Sequence, residues 1–204
     1  MLVLGTTNEG KVRELLALLQ PHGVGCRSLA GLEAAVDVEE TGATFAQNAA
    51  LKASQQAVAL GGWVLAEDSG LVVPALGGEP GVRSARFSGA TGPRAEVDAH
   101  NSRLLLERMR GLTGSDRRAH YACHAALADA TGRIVAETHG ECHGVIAEAA
   151  QGTGGFGYDP LFLVPEYHRT FGEIPATVKA LISHRARALR GLLPAIVRAV
   201  GRQS

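Results

Sequence analysis

The sequence predicts an α/β fold built on a mixed β-sheet. Strand-like and helix-like segments follow one another along the whole chain. Its start reads as strand, loop, helix, and two long segments in its second half read as a β-hairpin. At 204 residues the chain suits one well-buried domain, residues 1–204, with room for two lobes.

The elements follow in order. Met1–Gly5 (MLVLG) is a short buried strand, and Val12, Leu15, Leu16 and Leu19 after it fall at i, i+3, i+4 and i+7, one face of a helix. A second helix starts at Thr44, whose spacing to Gln47 is that of a capping box, and stops at Gly61-Gly62. Asn48 and Lys52, four apart, share one of its faces. Residues 63–73 read as an apolar strand, a polar interruption at Glu67-Asp68-Ser69-Gly70 that sets polar groups at a strand end, and a second apolar run. Residues 93–111 form a helix opened by Pro93 and closed by Gly111. Segments 118–128 and 133–146, joined through Asp129-Ala130-Thr131-Gly132, make the hairpin, and the glycine-rich stretch 152–160 is a loop. A last helical stretch begins near Ala176, carries Lys179, His184, Arg185, Arg187 and Arg190, and meets a kink signal at Pro194.

Composition excludes several classes. Twenty Lys and Arg balance 20 Asp and Glu, so no global field draws the chain to DNA or RNA, although a local basic cluster can still hold a small anion. Apolar runs stay short of the roughly 18 residues of a membrane span. Cys26, Cys123 and Cys142 are odd in number and lack a disulfide spacing, and the N-terminus lacks the layout of a signal peptide, so the expected compartment is the cytoplasm.

Four groups of residues can carry chemistry. Gly5 to Lys11 nearly matches the phosphate loop G-x-x-x-x-G-K-[ST], but Val12 stands where the magnesium-binding hydroxyl belongs. The stretch is either a phosphate grip, strengthened by Thr6 and Asn8, or a tight turn capping a helix. Glu39-Glu40 and Glu67-Asp68 offer carboxylates for one hard cation such as Mg²⁺, which takes one or two carboxylates plus phosphates and water. They also read as solvated charges and a turn cap. Phe156 and Tyr158 are rings in a glycine loop, suited to stacking on a flat base or to pinning the turn. His184 and Arg185 are neighbours, so both face one site only if the helix begins or breaks there.

Two other patterns lead nowhere. Two H-x-x-C-H stretches, at 120–124 and 139–143, resemble zinc ligands, but strand alternation puts each Cys and its adjacent His on opposite faces. Asp68-Ser69-Gly70 resembles the aspartic-protease triplet, but the chain has no second copy of it.

Taken together, residues 6–19, 39–53, 67–89, 152–165 and 182–189 resemble, in order, the successive motifs of the inosine triphosphate pyrophosphatase family, also called HAM1-like or XTP/dITP diphosphatases. The resemblance runs from residue 3 to about residue 190. It implies hydrolysis of ITP, dITP and XTP to monophosphate and pyrophosphate, a Mg²⁺ requirement and a homodimer. The implied fold is an elongated mixed-sheet α/β fold with its active site in a cleft between two lobes. The family's S/T-x-N-x-x-K pattern falls on Thr6, Asn8 and Lys11, so the substrate loop takes in Thr7, Glu9 and Gly10. By the same resemblance Lys52 adds positive charge on the triphosphate, Glu40 and Asp68 serve the metal, and Asp68 accepts the proton of the attacking water. Ser69 and Phe156-Gly157-Tyr158-Asp159 contact the nucleotide, and Lys179, His184 and Arg185 surround the base. Many relatives carry Asp-Asp-Ser-Gly where this chain has Glu67-Asp68-Ser69-Gly70, and the lead-in to Lys179 also departs from the pattern.

Overall fold

The computed structural model describes residues 1–200. Its strands are β1 (Leu2–Leu4), β2 (Cys26–Ser28), β3 (Val64–Val72), β4 (Arg118–Ala128), β5 (Ile134–Ile146), β6 (Phe162–Val164) and β7 (Arg169–Thr170). Its α-helices are α1 (Glu9–Leu19), α2 (Phe45–Leu60), α3 (Arg94–Arg108), α4 (Ala176–Ile182) and α5 (His184–Val200). The strands form one sheet in the order β2-β1-β3-β4-β5-β6-β7. β1 runs parallel to β2 and β3, whereas β6 is antiparallel to β5 and β7, so the sheet is mixed, as the sequence predicts.

Local signals set most boundaries. Asn8 caps α1 by accepting from the Lys11 backbone N–H, and Thr44 and Gln47 complete the capping box of α2, which ends at Gly61 in the left-handed region. The β4–β5 turn closes through Asp129 N–H to the Arg133 carbonyl at 3.0 Å, with the Asp129 carboxylate accepting from the Thr131 backbone and hydroxyl.

The chain divides into two compact units. Among the described residues the first comprises 1–69, 123–140 and 184–200; the second comprises 70–122 and 141–183. The first has an aliphatic core on one sheet face, in which Leu4, Leu15, Leu65, Leu127 and Leu192 are all at most 2% exposed. A second cluster there sets Ala49, Ala53 and Ala57 of α2 with Val64 and Ala66. The second unit's core is aromatic, with Phe162 4.7 Å from Tyr121 and 5.1 Å from Phe171 between ring centres.

Two expectations need correction. Glu67, Asp68 and Ser69 do not interrupt the strand: β3 runs unbroken through them, and the polar groups sit in its middle, not at its end. The pleat makes this tolerable, because alternate residues reach opposite faces and each buried acid meets its own partners. The last helical stretch is two helices, so Lys179 lies on α4 while His184 and Arg185 open α5. Ser183 between them is extended, with φ −67° and ψ 157°. Pro194 lies inside α5, which continues to Val200.

Gly140 on β5 lies against α5. A Cβ there would overlap the His184 carbonyl oxygen and the Ala188 nitrogen and come within 2.8 Å of the Arg187 Cβ. Gly140→Ala is therefore expected to lower stability by about 1–3 kcal/mol, the cost of forcing a packed backbone apart, read as a fall in the urea midpoint at unchanged slope.

Candidate active site

In the first unit, β1 leads through Gly5-Thr6-Thr7 into α1. A Cβ on Gly5 would come within 2.9 Å of the Ala66 Cβ, so the loop lies directly on β3. The Asn8 N–H donates to Thr6 Oγ1 at 3.2 Å, and Asn8 Oδ1 accepts from the Lys11 N–H at 3.1 Å. Both side chains thus shape the turn and leave the N-terminus of α1 as an electropositive end. Thr7 and Glu9 are exposed and Gly10 is buried. Val12, one residue past Lys11, packs against the aliphatic core.

Beneath this loop lies a buried ionic network. Lys11 Nζ is 3.0 Å from Glu67 Oε1, and Arg185 reaches Glu67 through Nε and Nη2, each at 3.2 Å. Arg185 Nη1 pairs with Glu14 and Nη2 donates to Ser69 Oγ at 2.9 Å. The Cys123 thiol donates to Glu67 Oε2 at 3.6 Å. Glu67 is 1% exposed and Arg185 2%. Burial pushes the Glu67 carboxyl up, but the Arg185 guanidinium and the Lys11 and Lys52 ammonium groups outweigh it and hold it well below the usual carboxylate range. Arg185 is raised in turn, because Glu67 and Glu14 outweigh its own burial. Cys123 is pushed up by burial and by Glu67, which keeps it a neutral thiol.

The adjacent residue faces the other way. Asp68 Oδ1 accepts from Lys52 Nζ at 3.2 Å and Oδ2 from Asn48 Nδ2 at 3.1 Å, both partners being on α2. Lys52 Nζ also meets Glu40 Oε1 at 2.7 Å. Burial lowers the Lys52 pKa, but Asp68, Glu67 and Glu40 more than restore it, so it stays charged. Asn48 Oδ1 accepts from the Gly42 N–H at 2.8 Å, tying the Glu40 loop to α2. A Cβ on Gly42 would come within 2.6 Å of that oxygen, so only glycine permits the approach.

Glu40 and Asp68, from a loop and a strand, thus reach one cationic centre. Two carboxylates completed by phosphate oxygens and water are the donor set Mg²⁺ uses, and these residues fit it. Among the described residues no group of three or more His, Cys, Asp or Glu could hold a metal, so a cation here needs oxygens from ligand or water. On the β4–β5 pair, the His120 and His143 rings lie 5.3 Å apart and those of His124 and His139 5.6 Å apart, while Cys123 and Cys142 are buried.

The second unit assembles the glycine-loop residues. Asp159 Oδ2 accepts from the Phe156 N–H at 2.8 Å and from Lys179 Nζ at 2.5 Å, and Lys179 lies 5.0 Å from the Phe156 ring centre and 5.3 Å from that of Phe171. The Gly157 N–H donates to Asp98 Oδ2 at 2.9 Å. Tyr158 departs from expectation: it is 3% exposed, belongs to the aromatic core and donates its hydroxyl to the Ser84 carbonyl at 2.9 Å. Burial and Asp98 raise its pKa, and its ring packs within the aromatic core. Reasoning from sequence missed Glu14, whose one signal is an acid three residues after Lys11 beside an apolar stripe. It also missed the link from Gly42 to Asn48.

Fold and clusters together define a mixed-sheet α/β protein in which a loop capping α1 lies beside buried, paired carboxylates. The chain belongs to the Ham1 family, whose model matches residues 2–195. It is 48% identical over 199 residues to a dITP/XTP pyrophosphatase of Rhodopirellula baltica, covering 98% of this chain and 94% of that protein. With a dITP/XTP pyrophosphatase of Thermus thermophilus the identity is 50% over 193 residues, covering 95% and 90%. A solved structure of a HAM1 protein from Coxiella burnetii aligns with a TM-score of 0.84 at 36% identity, covering 97% of this chain and 98% of that one. The family read from the motifs is thereby borne out.

Because the Glu67 pKa is depressed on folding, its contribution to stability is present above the ordinary Glu value of 4.5 and is lost as pH falls through the folded value. The stability gap between wild type and Glu67→Gln, measured by urea unfolding, should be constant from pH 7 to about 5 and narrow steadily below that.

Proposed function

We propose that the chain hydrolyses the non-standard purine nucleoside triphosphates dITP, ITP and XTP to the monophosphate and pyrophosphate, keeping them out of DNA and RNA. The observation that carries this reading is the placement of Lys52 between Glu40 and Asp68, in the unit whose capped α1 loop bears Lys11. Relatives near half identity over almost the full chain, named dITP/XTP pyrophosphatases, support the choice of substrate.

Attack on a polyphosphate is opposed by its own negative charge, so the first requirement is neutralisation at fixed positions. Lys11, the N-terminus of α1 and Lys52 supply positive charge for the triphosphate, while Thr6 and Asn8 hold the loop that carries Lys11. Thr7, Glu9, Gly10 and Ser69 complete this end. Glu40 and Asp68 would hold Mg²⁺; bound there, the ion supplies Lewis-acid polarisation of phosphoryl oxygens and a more acidic water. Asp68 accepts the proton of the attacking water, with Asn48 and Lys52 fixing its two oxygens in place.

At the base, Phe156 supplies a ring face beside Lys179, and Gly157, Asp159 and the Tyr158 backbone shape the loop. By the family resemblance Lys179, His184 and Arg185 surround the base: donors there suit the 6-oxo acceptor of hypoxanthine and xanthine and leave adenine's amino group facing donors, while Arg185, whose own donors are held by Glu67, Glu14 and Ser69, acts by positioning. A homodimer follows from the family resemblance, and a cytoplasmic location accords with the odd number and the spacing of Cys26, Cys123 and Cys142, which do not form a disulfide framework. Among the described residues no helix is long and apolar enough to cross a membrane.

Pyrophosphate release from dITP, measured with Mg²⁺ and with EDTA, tests the reaction and the metal together. Asp68→Asn should lower kcat by about 10²–10⁴ while leaving the fold intact by circular dichroism. Near-normal turnover would remove Asp68 as the base, and orthophosphate as the product would move the cut to the terminal phosphate.

A further inference from the structure

We propose that Glu67 is a positioning residue that sets the reach of Lys11 by locking the start of α1 to β3 and α5. This rests on the reading of Lys11 as a phosphate ligand. Glu67 itself is 1% exposed in the middle of β3, its carboxylate turned to Lys11 and Arg185.

Lys11 and Glu14 are three residues apart on α1, so they share one face of it. Lys11 pairs with Glu67 on β3, Glu67 with Arg185 on α5, and Arg185 with Glu14 back on α1. Four side chains thus close a ring through three elements, in alternating charge, and the ring sums to zero. Leu15 and Leu19 seat α1 in the core, and the ring adds polar anchors at Lys11 and Glu14 that resist its rotation and translation on β3 and α5.

Electrostatics adds direction. Removing Glu67 would strand the buried Arg185 with one carboxylate fewer and release Lys11 from its anchor at 3.0 Å. Arg185 would then be held by Glu14 and Ser69 alone among these partners, so the ring opens and Lys11 loses its defined position. Cys123, neutral and 3.6 Å away, supports the same carboxylate without adding charge.

The test uses the full chain and two readouts, dITP hydrolysis and calorimetric binding of inorganic triphosphate, the second needing no turnover. Glu67→Gln should raise the KM for dITP and weaken triphosphate binding by roughly tenfold or more, with a smaller effect on kcat. In a Lys11→Met background the same change should cost less than about twofold in triphosphate affinity, because the residue it acts through is gone. Should Glu67→Gln not fold, Glu67→Asp, with the same charge one methylene shorter, carries the same cycle with a smaller loss. Folded variants that bind triphosphate within about twofold of wild type, or losses that multiply unchanged with Lys11→Met, overturn the proposal. A wild-type protein that binds triphosphate yet leaves dITP intact removes the hydrolase reading and leaves the Glu67 cycle still decisive.

Discussion

The first unit is organised by one electrostatic constraint: a carboxylate kept ionised where water is excluded. Glu67 in the middle of β3 meets this condition because Arg185 and Lys11 converge on it, with Lys52 adding to their effect. An unpaired buried carboxylate costs several kcal/mol, so α1, β3 and α5 are each committed to a relative position by that charge. The loop that opens α1 inherits this placement.

Strand alternation then gives the unit a second, separate cluster. Because Asp68 points away from Glu67, its partners come from α2 and the Glu40 loop, and neither cluster neutralises the other's groups by contact. One face carries a closed ring in which every charge is matched. The other gathers two carboxylates about one ammonium group, an arrangement that can accept further cation and anion. The second unit uses a different device: Lys179 pairs with the Asp159 carboxylate and lies close to two aromatic faces, those of Phe156 and Phe171.

How much of this was legible follows from the distance over which each feature is encoded. The caps at Asn8 and Thr44 and the β4–β5 turn depend on residues at most four apart, and each was readable from the sequence. The motifs that carry the family, from Thr6 to Arg185, are likewise legible as a pattern in the sequence. Polar residues in mid-strand read as an interruption because their partners lie elsewhere: Arg185 bonds Glu67 across 118 positions and Glu14 across 171. The break at Ser183 was foreshadowed by the neighbours His184 and Arg185, which an unbroken helix would turn about 100° apart. Of the two readings of Tyr158, stacking on a base or packing to pin the turn, the sequence does not choose, because nothing local marks the Ser84 carbonyl, 74 positions away, as its partner.

The alanine face of α2 has an effect beyond packing. Ala49, Ala53 and Ala57, each at most 1% exposed, lie against the small and branched residues of the sheet, and Asn48 and Lys52 are carried on the same helix. The methyl groups act as a spacer that sets how far an amide and an ammonium group stand from the Asp68 carboxylate. Attraction between charges falls inversely with distance. A single added methylene on that face would therefore be felt as a detuned field at Asp68, so an apolar seam calibrates the polar chemistry beside it.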